Sequence, residues 1–279
     1  MNRKILVHIG MHKTASSYMQ QHLFPNLQDT MYLYGAKSLI SQWNRQVGLD
    51  NNRLFISHES FSGSPWNKKW LLGIANNHKW LTSFTKNLEN LRFFFPEAVV
   101  IIFFRKHGDL LISLYKQYIQ ERGTLIFSEF YGHNKLIEPK DLSFKYRIDL
   151  LNKFFTNVYF LDFEEFKKRG DSYLKLFFQN EFNINLNISG NEKLANNRGV
   201  TGGKLEILRK INKYYNFLPS KVKNGIDILG VTPRSIMQTK TKFWEPKSLE
   251  KNSIIKEKIN TKFNKDWDYF CSFKYIHNI

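Results

Sequence analysis

Ile5-Leu6-Val7-His8-Ile9-Gly10-Met11-His12-Lys13-Thr14-Ala15-Ser16-Ser17 passes from an apolar run into a short loop of small, basic and hydroxyl-bearing residues. Tyr18, Met19 and Leu23 then follow at helical spacing. The pattern predicts a strand, a tight loop and a helix start, an arrangement that holds phosphate. Loop N–H groups converge on an anion, the unpaired amides at the helix N-terminus add positive potential, and Lys13, Ser16 and Ser17 supply further donors.

Working outward, apolar runs of strand length recur at 54–57, 99–104 and 158–161. Helical patterns lie between and beyond them at 76–95, 109–122 and 142–155; the second repeats Leu110, Leu111, Leu114, Tyr118 and Ile119. Strands alternating with helices predict an α/β, P-loop-like three-layer fold, with a central mostly parallel sheet flanked by helices and ligands at the carboxyl ends of its strands. After about residue 182 the chain becomes Asn- and Gly-rich through 203. Helices are expected near 204–217 and 220–229, then a Pro-punctuated stretch at 232–246, a last helix near 249–263 and an aromatic tail. The reading is one domain over 1–279, with an α/β core at 1–182 and a mainly helical extension at 183–279.

The chain has 279 residues, enough for a sizeable core, and sets 42 Lys+Arg against 24 Asp+Glu for a formal charge of +18. Such a surface attracts anions, among them nucleotides, acidic glycans and anionic lipid headgroups, so peripheral contact with a membrane surface is compatible with it. The accompanying wealth of Asn, Ile and Phe also fits a simple coding bias. No zinc-finger spacing, RNA-binding aromatic signature or basic helical stripe points to nucleic acid. Cys271 is the single cysteine, which excludes an intramolecular disulfide and suits a reducing, cytoplasmic setting. No run approaches the roughly 20 apolar residues of a membrane span.

The loop is not a Walker A motif. Laid on G-x-x-x-x-G-K-[ST] from Gly10, the second glycine falls on Ala15 and the lysine on Ser16, while the actual lysine is Lys13. A small-molecule kinase reading also lacks a Mg²⁺-binding aspartate after the 99–104 run, where Arg105 stands instead. Arg105 and Ser113, on either side of a strand-to-helix turn, can bring one guanidinium and one hydroxyl to a single phosphate. Ile56-Ser57-His58-Glu59-Ser60-Phe61 offers two adjacent proton acceptors where another strand runs out. His8 lies within a strand and reads as buried structure; Trp66, Trp70, Trp80 and Trp244 suit either core packing or sugar rings.

His12-Lys13-Thr14-Ala15-Ser16-Ser17-Tyr18 resembles the 5′-phosphosulfate loop of sulfotransferases that use 3′-phosphoadenosine 5′-phosphosulfate, departing from it at Ala15, where the family has Gly. The resemblance, strongest to bacterial, carbohydrate-type members, implies transfer of a sulfuryl group to a hydroxyl on a glycan or glycolipid, releasing adenosine 3′,5′-bisphosphate and needing no metal. It implies that Lys13 stabilises the leaving phosphate, that Arg105 and Ser113 grip the 3′-phosphate, and that Arg198 and Gly199 close over it. Glu59 is favoured over His58 as the base. Tyr18 is a candidate to stack on adenine, and His12 to shape the loop.

Overall fold

The computed structural model describes residues 4–34, 53–66, 80–187, 203–219, 221–223, 225 and 248–275. Five strands, β1 (Lys4–Ile9), β2 (Met31–Tyr34), β3 (Arg53–His58), β4 (Val99–Phe104) and β5 (Val158–Asp162), form one sheet in the order β2-β3-β1-β4-β5. Every pairing is parallel. The helices are α1 (Ser16–Tyr18, continued by a π-helical turn Met19–Leu23), α2 (Trp80–Phe94), α3 (His107–Gln120), α4 (Phe127–Phe130) and α5 (Phe144–Phe154). They are followed by α6 (Phe163–Arg169), α7 (Asp171–Phe182), α8 (Gly203–Phe217), α9 (Ser248–Lys262) and α10 (Asn264–Phe273).

The strand period of two sends alternate side chains to opposite faces, and both faces are covered. Val7, Ile9, Val100, Ile102 and Phe104 pack with α2, α3 and α5, joined by Leu208, Ile259 and Phe270 from the C-terminal helices. Leu6, Phe55, Ile101 and Phe103 pack under α1, α6 and α7. This is the three-layer arrangement expected from the alternation of strands and helices, and it explains why all six residues of β4, Val-Val-Ile-Ile-Phe-Phe, are buried.

β1 lies at the centre, with β3 on one side and β4 on the other; Ile9 is level with His58 and with Ile102. The chain fills one side of β1 with β2 and β3, then crosses to place β4 and β5 on the other. The carboxyl ends of β1 and β4 therefore flank a topological switch point, where parallel sheets leave a crevice.

Several elements differ from the sequence expectation. β2 is four residues long and carries too little pattern to be read alone; pairing with β3 makes it a strand. α6 and α7 lie in a stretch given no helix, and α10 occupies the expected aromatic tail, where Phe270 inserts into the core. The helix expected from 142 begins at Phe144, because Ser143 caps it by accepting from Tyr146 N–H. Arg198, Gly199, Trp70, Trp244 and most of the 220–229 helix lie outside the described residues. No described helix is long and apolar enough to cross a membrane.

Candidate functional site

The loop after β1 is held by its own side chains. Thr14 Oγ1 donates to the Met11 carbonyl at 2.7 Å and Ser16 Oγ to the same oxygen at 3.2 Å. Both hydroxyls are buried, so their protons close the loop from inside, while Ser17 is exposed at the start of α1. Lys13 and Ala15 adopt left-handed backbone, with φ of 64° and 57°. Ala15 thus stands where a glycine has no steric cost and an L-residue costs about 1–2 kcal/mol. Ala15 is also the N-cap of α1 and has no side-chain acceptor, so it does not cap the first amides of the helix.

His12 ties the loop to its surroundings, its Nε2–H donating to the Gly63 carbonyl at 2.8 Å while the ring packs edge-on against Trp80. Burial lowers its pKa, with Arg147 acting in the same sense and Gly63, Glu59 and Glu121 opposing. A neutral imidazole that spends its N–H on the Gly63 carbonyl fastens the loop to the turn after β3. Tyr18 donates to both carboxylate oxygens of Asp171, at 3.1 and 3.0 Å, which anchors the ring to the start of α7.

Arg105, one residue beyond β4, reaches across the switch point. Its Nη1 donates to the Lys13 carbonyl at 2.9 Å and its guanidinium lies 5.1 Å from the Phe163 ring centroid. Burial lowers its pKa, with Asp109 and Glu164 opposing, and Nε is buried without a hydrogen-bond partner among the described residues. Two motifs far apart in sequence are thereby joined at one point. Ser113 follows on α3, half-buried.

The third element comes from β3. Gly10 N–H donates to the His58 carbonyl at 3.2 Å, and Ser62 Oγ lies 3.0 Å from the Gly10 carbonyl. A Cβ on Gly10 would stand 3.0 Å from Glu59 Cα and 3.1 Å from its Cγ, so the glycine admits Glu59 against the root of the loop. Glu59 opens a 3₁₀ turn, Glu59–Ser62, of which His58 is the N-cap. His58 Nδ1 accepts from Ser60 N–H at 3.0 Å and contacts Ser60 Oγ, and burial lowers its pKa while Glu59 opposes. Capping occupies His58 Nδ1, whereas Glu59 is half-buried beside Gly10.

His8 is wholly buried, 2.8 Å from Ser57 Oγ, which also accepts from Gln20 Nε2 at 2.9 Å; burial drops its pKa to about 3. It belongs to the core. Sequence reading missed the docking of α9 on α3, where Gly108 N–H donates to Asn260 Oδ1 at 2.8 Å and Lys256 pairs with Asp109. It also missed the buried His107, whose Nε2 lies 2.8 Å from Asp266 Oδ2. No local signal marks a contact between residues some 150 positions apart.

The arrangement places one lysine, one arginine, a strained loop and one carboxylate at a single sheet edge, a set suited to holding and polarising an anion beside a proton acceptor. No family model matches the chain, and no curated protein matches it. Among solved structures the chain is similar to mouse sulfotransferase SULT7A1 complexed with PAP, at 14% identity and a TM-score of 0.36, over 92% of this chain and 89% of that one.

Proposed function

We propose that the chain is a sulfotransferase that moves a sulfuryl group from 3′-phosphoadenosine 5′-phosphosulfate to an acceptor hydroxyl on a glycan or glycolipid. The observation that carries the reading is the hydrogen bond from Arg105 to the Lys13 carbonyl across the switch point. It joins the two sequence elements that the family devotes to the two phosphates of the donor.

In this reading the loop amides and Lys13 hold the 5′-phosphosulfate, and Arg105 with Ser113 holds the 3′-phosphate. Glu59 takes the proton as the acceptor oxygen bonds to sulfur. The bond between sulfur and the bridging oxygen breaks in line, and the Lys13 ammonium neutralises the charge that gathers on the phosphate. The geometry that supports Glu59 over His58 is the occupation of His58 by the 3₁₀ turn.

Calorimetry tests the donor. Adenosine 3′,5′-bisphosphate is expected to bind with micromolar-range affinity and 5′-AMP far more weakly, and Arg105→Ala is expected to weaken the bisphosphate about 100-fold through loss of charge-assisted hydrogen bonds. Equal affinity for the two nucleotides sinks the assignment. Transfer of labelled sulfate to a panel of polysaccharides and glycolipids identifies the acceptor.

A further inference from the structure

The cations around the start of α3 do not end with Arg105. Asp109, Ser113 and Lys116 follow one another at helical spacings of four and three and share one face of α3. α9 docks at the start of this helix. Asn260 accepts from Gly108 N–H, a Cβ on Gly108 would meet the Lys256 carbonyl oxygen, and Lys256 Nζ pairs with Asp109. Lys256 and Asn260 also line a partly open groove of about 650 Å³ along α9, which Glu257 shares.

Lys116 has no ion-pair partner among the described residues. After burial, the charges of Lys256 and Arg105 lower its pKa, and Asp109 alone acts in the opposite sense. Glu164 also acts on Arg105 but has its own contact with Lys167 at 4.0 Å. Lys256 is thus the cation in contact with Asp109, while Arg105 and Lys116 feel the same carboxylate at longer range, and cations in such excess favour an anion of higher charge than aspartate. A phosphate monoester, at about −1.5 to −2, is one.

We infer that Lys256 and Lys116 complete the phosphate subsite that Arg105 and Ser113 begin, and that Asp109 is an internal competitor that yields Lys256 to the phosphate on binding. The inference rests on the reading of the chain as a binder of a 3′-phosphorylated nucleotide. It makes α9 part of the donor site and sets affinity by an exchange of ion pairs: Lys256 leaves Asp109 for a phosphate oxygen.

The test is calorimetry on the full 279-residue chain with adenosine 3′,5′-bisphosphate and with 5′-AMP. Lys256→Met and Lys116→Met are each expected to weaken the bisphosphate about tenfold, and Asp109→Asn to tighten it about threefold. All three should leave 5′-AMP unchanged. Wild-type affinity in Lys256→Met, or an equal loss for both nucleotides, overturns the inference while a selective Arg105→Ala effect keeps the donor reading. Unchanged or weaker binding in Asp109→Asn overturns the exchange, with Asp109→Ser repeating the measurement if the amide variant melts at the assay temperature. A wild-type chain indifferent to the 3′-phosphate overturns the donor reading and this inference together.

Discussion

Two strand-to-helix junctions meet at the carboxyl edge of the sheet, after β1 and after β4, and their materials differ. The junction after β1 is closed by neighbours in sequence: Thr14 and Ser16 bond the Met11 carbonyl, and two left-handed residues turn the chain. The junction after β4 is closed from the far end of the chain. Asn260 takes the Gly108 amide, Lys256 takes Asp109, and Asp266 takes His107. The first is a local device whose backbone carries strain, as sites that position a reacting group commonly do. The second has little local definition and depends on the C-terminal helices to place its charges. In the proposed sulfotransferase reading, the first junction would carry the chemistry and the second the affinity.

The sharpest way to break this contrast is Lys13→Ala. The variant keeps a Cβ at the left-handed position, so the backbone cost is similar, and it removes the side chain beyond Cβ, ammonium included. Turnover is expected to fall by about 10²–10³, the scale of one lost transition-state contact, with much smaller loss of bisphosphate binding. A variant that loses binding and turnover in proportion would give both junctions the same role.

Glu59→Gln comes next, with turnover expected to fall about 100-fold as a general base is removed, measured by sulfate transfer at saturating donor. His58→Ala is expected to cost about 1 kcal/mol of stability through loss of a cap and little turnover beyond that. The reverse ranking would make His58 the base.

The junction after β4 can be loosened through Asp266, which accepts from Phe144 N–H at 2.7 Å and Lys145 N–H at 2.9 Å besides contacting His107. Burial alone would raise its carboxyl pKa, but the His107 contact and the two amides prevail and hold it below the ordinary value. A carboxyl depressed in the folded chain stabilises above its unfolded pKa of about 3.9 and loses that contribution as pH falls through the folded value. Asp266→Asn is expected to cost about 1–3 kcal/mol at neutral pH, read by urea unfolding, and to flatten the acid dependence below about pH 4. An unchanged midpoint would remove the C-terminal helices from the support of this junction.

The smallest expected effect is at Ala15. Ala15→Gly relieves a left-handed alanine but adds freedom to the unfolded chain, so a net gain of about 0.5 kcal/mol in denaturation is expected. A loss would mean that the loop does not keep its left-handed turn.

The parallel α/β plan was readable because its signals are local. β1, β4 and β5 are apolar runs long enough to stand out, and the Gly10–Ser17 loop carries its turn and hydroxyl chemistry within a few residues. β2 and α10 were not readable, since Met31–Tyr34 becomes a strand by pairing with β3 and the aromatic tail becomes a helix by burying Phe270. Lys13, Arg105 and Glu59 could be named as candidates from residue type and from the strands they follow, β1, β4 and β3. That His58 caps a 3₁₀ turn, and that Gly10 admits Glu59, came from the register of β1 against β3.

What the sequence determined by itself is the existence of a tight, hydroxyl-closed loop after the first strand and of an arginine after the fourth, because backbone turns, hydroxyl caps and apolar periodicity act over a few residues. What only the tertiary structure decided is that the two meet. The placement of β1 and β4 side by side at the switch point brings Arg105 to the Lys13 carbonyl, and the docking of α9 brings Lys256 to Asp109. Contacts of that kind depend on sheet order and helix packing, which burial across the whole core selects and no local pattern encodes.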